Sequence, residues 1–98
     1  MPCVGIIGTL DTKGQEFAFI KARIEASGVD TLVINTGVLG AADFKPDVDS
    51  DEVANAGGRS LTELRTERDR GKSIEIMTAG VQAVIRELYD NGKIDGVI

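Results

Sequence analysis

The sequence predicts an α/β fold: a Rossmann-like, doubly wound parallel sheet in three layers, with helices on both faces. Three observations carry this expectation. Residues 3–8 and 31–35 are short, near-continuous apolar runs, the pattern of strands buried on both faces. Between them Phe17, Ile20 and Ile24 recur at helical spacing, and Gly28 supplies a stop. Strand, helix and strand in that order form a βαβ unit, which is right-handed in nearly all known cases.

The remaining elements come in chain order. From Thr36 to Pro46 the chain reads as loop, with turns marked by Gly37 and Gly40 and with Pro46 disfavouring helix at Lys45. Asp49-x-x-Glu52 and Ser60-x-x-Glu63 both fit capping boxes, so each starts a short helix. The first is expected to stop at Gly57-Gly58 and the second near Gly71. Together, residues 38–72 read as a helical and loop insertion, exposed as an excursion from the sheet. The longest helix is expected from about Ser73 to Asn91, where Ile74, Met77, Val81, Val84, Ile85 and Leu88 make one apolar stripe. Gly80 on that helix marks close packing against a neighbour, and Met77 reads as core filler. The run from Ile94 to Ile98 reads as a third parallel strand. With no polar tail after it, residues 1–98 are expected to be the amino-terminal part of a longer Rossmann-like polypeptide.

Composition narrows the function classes. A chain of 98 residues makes one domain and buries roughly 60–65% of its unfolded surface. The net charge is −5, and the cluster Arg65, Arg68, Arg70 and Lys72 is interrupted by Glu67 and Asp69, so no nucleic-acid partner is expected. One cysteine and no histidine exclude an internal disulfide, a Cys/His catalytic pair and a Cys/His zinc site, and no metal centre is expected. No apolar run approaches the ~20 residues of a membrane span. A cytoplasmic protein is the expectation.

The chemistry centres on Gly8-Thr9-Leu10-Asp11-Thr12-Lys13-Gly14, a polar turn between a strand and a helix. Unpaired N–H groups and the positive end of the dipole make a helix start an anion site. Gly8, Thr9, Asp11, Thr12, Lys13 and Gly14 are the candidate phosphate-binding residues. Thr36 and Gly37, after the second strand, are expected to join them at the carboxyl ends of the strands. Lys13 precedes Gly14 and Gln15 comes after it, so this is not a P-loop, and Gly5, Gly8 and Gly14 lack the dinucleotide spacing. Few aromatic residues argue against flavin. Asp11 has three readings: helix cap, ligand of a phosphate-bound magnesium ion, or general base. Lys13 reads either as a phosphate contact or as a surface lysine. No hydrolytic mechanism can be assembled from these residues, and no catalytic residue is named.

The same turn, the strand ending before Thr36-Gly37, the segment Asp69-Arg70-Gly71, the long helix after it, and Gly92-Lys93-Ile94-Asp95-Gly96-Val97-Ile98 resemble the amino-terminal part of the tomato mosaic virus resistance-type ATP-binding proteins. That family is widespread in bacteria and fungi. The resemblance implies an α/β nucleotide-binding protein built from two Rossmann-like halves and forming homodimers, of which this chain would be an incomplete half.

The leading expectation is therefore binding of ATP, with or without magnesium, by a domain of undefined cellular role. Two other classes are weighed against it. One is an interaction or oligomerisation module with a structural nucleotide site and residues 38–72 as its partner surface. The other is a small-molecule enzyme subdomain using Asp11 as base.

Overall fold

The computed structural model describes residues 2–98. Its elements are β1 (Cys3–Gly8), α1 (Leu10–Ala26), β2 (Asp30–Asn35), α2 (Ser50–Ala56), α3 (Leu61–Glu67), α4 (Arg70–Asp90) and β3 (Gly96–Val97). The three strands form one parallel sheet in the order β2-β1-β3. Cys3 lies opposite Asp30 and Gly8 opposite Asn35, so β1 and β2 end level with one another. No helix among the described residues is long and apolar enough to cross a membrane.

The sheet is covered on both faces, as the doubly wound expectation requires. On one face Phe17, Ile20 and Ile24 of α1 pack on the buried Ile6, Leu10 and Val33. On the other, Ile34, Val53, Ala54, Leu64 and Met77 form a second buried cluster, with the α4 stripe Val81, Val84, Ile85 and Leu88 against it. Alternation along β2 explains the split, because Val33 and Ile34 are adjacent and point to opposite faces.

Three expectations need correction. The insertion expected at residues 38–72 is not exposed throughout: Val53 and Ala54 are fully buried and Leu64 is nearly so. A short helix reads as polar because it buries one face only; α2 spends that face on α4 and β2, and α3 packs against α2. α3 ends at Glu67 rather than near Gly71, because Arg68 adopts a left-handed φ of 53°. α4 then begins at Arg70, ahead of Ser73, because the Asp69 carboxylate caps it by accepting the Lys72 N–H at 3.0 Å.

Candidate functional site at the carboxyl ends of the strands

β1 runs out at Gly8, and the chain turns through Thr9 into α1 beside the end of β2. Thr9 holds the N-cap position but its side chain makes no capping bond. The first helical N–H, that of Leu10, donates instead to Asn35 Oδ1 at 3.0 Å. The same oxygen accepts the Gly37 N–H at 2.9 Å, and Asn35 Nδ2 donates to Asp49 Oδ1 at 2.9 Å. One buried amide thus ties together β2, the start of α1, the next loop and the cap of α2. Asn35 is not among the candidates that the sequence pattern singles out. Its signal is a lone amide closing an apolar strand immediately before Thr-Gly.

Asp11 sits inside the first turn of α1, so the capping reading is corrected: its carboxylate crosses to the next loop. Oδ2 accepts the Leu39 and Gly40 N–H groups at 2.9 and 3.1 Å. Oδ1 is buried and has no hydrogen-bond partner among the described residues. Arg65 holds the same loop from its other side, donating to the carbonyls of Val38 at 2.8 Å and Gly40 at 3.3 Å.

The candidate residues all gather at this edge, but they divide by role. The three glycines make room for protein groups. A Cβ at Gly8 would strike the Phe17 ring, one at Gly14 the Asp43 side chain, and one at Gly37 the Asp11 carboxylate. Thr36 is half-buried, and its N–H continues the β1–β2 ladder by donating to Gly8 O at 2.9 Å. Thr12 and Lys13 are exposed. The Thr12 hydroxyl lies 3.1 Å from that of Thr9, and Lys13 departs from helical geometry at φ −128°, ψ 31°. The free face of the turn therefore presents two hydroxyls and one ammonium group.

Beyond the 38–46 loop lies an open cleft of about 650 Å³ whose lining includes Asp43, Lys45, Asp49, Asp51, Leu61 and Arg65. A second concavity, about 760 Å³, runs along the outer surface of α4 from Ala79 to Asn91, and neither of the two is lined by any of the candidate residues. Cys3 lies at the opposite end of β1. Burial pushes its thiol above the usual range, and the carboxylates of Asp30, Asp95 and Asp47 push it further, which makes it a poor nucleophile. Among the described residues no group of three or more His, Cys, Asp or Glu side chains is placed to hold a metal ion.

Residues 2–98 match the model of the N-terminal domain of an uncharacterised protein family, UPF0261. A UPF0261 protein of Clostridium tetani is 46% identical over 93 residues, which is 95% of this chain and 23% of that protein. UPF0261 proteins of Brucella melitensis and Brucella suis are each 31% identical over 97 residues, covering 99% of this chain and 23% of theirs. The chain spans about a quarter of the length of these curated relatives. No solved structure matches it. The chain belongs to the UPF0261 family. The resemblance to the tomato mosaic virus resistance-type proteins is corrected by these matches, none of which is to that family. Its specific part is one seven-residue turn, and polar residues bounded by glycine are favoured in turns of many unrelated folds.

Proposed function

For this UPF0261 domain, we propose binding of a nucleotide through its phosphates, with ATP and magnesium as the ligand. The supporting observation is the placement of the exposed Thr12 and Lys13 at the start of α1, level with the end of β2. Ligands of open parallel sheets bind beyond the carboxyl ends of the strands, and helix starts favour anions. The Lys13 ammonium pairs with a phosphate, and the Thr9 and Thr12 hydroxyls exchange their mutual bond for bonds to its oxygens. Asp11 carries negative charge on the same turn and opposes a bare phosphate. Magnesium accompanying the nucleotide offsets that charge. Cytoplasmic location and homodimer formation belong to the same reading, the first supported by the single cysteine.

Calorimetric titration with ATP, with and without magnesium, tests this. Lys13→Ala is expected to weaken binding about tenfold, equivalent to roughly 1.4 kcal/mol, and to leave folding intact because the side chain is exposed. Unchanged affinity in the variant, or no heat of binding to the folded chain, would overturn the proposal.

A further inference from the structure

The two edges of the sheet are unlike. Along β2 the edge is closed by the chain itself. Val48 bridges Ile34 in parallel, and the Asp47 and Val48 N–H groups both donate to Val33 O at 2.9 and 3.0 Å. The Asn35 N–H donates to Val48 O at 2.8 Å, and the Asp47 carboxylate accepts the Val33 N–H at 2.7 Å. Pro46, which has no N–H to offer, leads into this segment.

The β3 edge has no such cover among the described residues. The Ile98 N–H donates to Gly5 O at 2.9 Å, and Ile98 O accepts the Ile7 N–H at 3.2 Å. Both backbone groups of Ile98 are thus spent on β1, so strand alternation turns those of Val97 outward. Val97 and Ile98 are 47% and 64% exposed. The charge nearest this edge does not guard it, because Asp95 Oδ2 is turned inward and accepts the Cys3 N–H at 2.8 Å. Proteins ordinarily protect an exposed edge with charge, proline or a bulge, and parallel strands are ordinarily interior.

We propose that β3 is an interior strand of the full-length protein, and that the polypeptide C-terminal to this domain in UPF0261 proteins supplies the strand that pairs in parallel with it. The occupant is argued from the family. The match is to an N-terminal domain, and the curated relatives carry more than three quarters of their length outside the region matched. The incoming strand pairs with the Val97 backbone and packs apolar side chains against Val97 and Ile98. A right-handed crossover is the connection such a parallel strand requires.

Amide hydrogen exchange tests this, comparing the peptide 94–98 in the 98-residue chain with its counterpart in the full-length Clostridium tetani protein. The short chain carries a Gly-Ser extension, which removes fraying at its end without offering a strand. After correction for intrinsic rates, the amide at position 97 is expected to exchange about 100-fold more slowly in the full-length protein. Equal protection would overturn the proposal. Protection in the extended short chain that rises with its concentration would also overturn it, because a second copy would then be the occupant.

Discussion

α1 and α4 cover opposite faces of the same strands, yet they are held there in different ways. α4 meets its neighbours by close backbone approach: a Cβ at Gly80 would strike the carbonyl of Val53, and one at Gly57 the carbonyl of Ile76. α1 is seated by partly buried side chains on Ile6, Leu10 and Val33, and its start is tied down by polar bonds from Asn35 and Asp11. Close apolar contact gains from excluding everything else. At the start of α1 the bond to Asn35 is buried, whereas the exposed bond between the Thr9 and Thr12 hydroxyls can be exchanged for bonds to a ligand. Both faces bury a core, Ile6, Leu10 and Val33 under α1 and Ile34, Val53 and Ala54 toward α4, but only the α1 side adds an exchangeable contact at the proposed site.

The largest expected effect falls on the α4 face. Gly80→Ala forces α2 and α4 apart and should cost about 3 kcal/mol, read as a lower urea midpoint with an unchanged slope. A loss under about 1 kcal/mol would break the comparison, since it would mean that the helices separate easily. Next comes Asn35→Ala, which strips the acceptor from the Leu10 and Gly37 N–H groups and should cost about 2 kcal/mol. Exchange at those two amides should rise while the α4 amides keep their protection. If both regions loosened equally, the α1 start would not be a separable unit.

The smallest effect is the pH dependence of two exposed carboxylates, one on each side. Hydrogen bonds from Lys21 and then Thr31 hold Glu25 below its usual value of 4.5. Arg59, and after it Ser60, does the same for Glu63. A depressed carboxylate stabilises the fold above its unfolded pKa and loses that contribution as pH falls through the lower folded value. Thermal melts should therefore decline below about pH 4.5. Glu25→Gln and Glu63→Gln should each lower the Tm slightly at neutral pH and flatten the acid decline. Unchanged acid profiles would show that neither ion pair contributes.

Much of the fold is legible in the chain, and the misses have physical causes. β1, β2 and the body of α1 are apparent from apolar runs and from Phe17, Ile20 and Ile24. The close packing at Gly80 is apparent from a glycine inside an apolar stripe. The start of α4 escapes the pattern because Arg70-Gly71-Lys72-Ser73 separates Asp69 from the first apolar residue of the stripe, and a capping residue is recognised by an apolar-periodic run directly after it. Of the three readings of Asp11, the cap arises because acidic residues favour helix starts. Its carboxylate instead takes the N–H groups of Leu39 and Gly40, at a sequence distance that no local pattern reports.

By itself the sequence determined the element types, the parallel α/β class and the position of the polar turn, because periodicity, caps and turn residues act within a few positions of one another. Only the tertiary structure decided that α2 and α3 belong to the core, that Asn35 joins β2 to the start of α1, and that the β2 edge is closed while the β3 edge is open. Each of those depends on groups distant in sequence meeting across the folded chain, where burial and hydrogen-bond geometry select the partner.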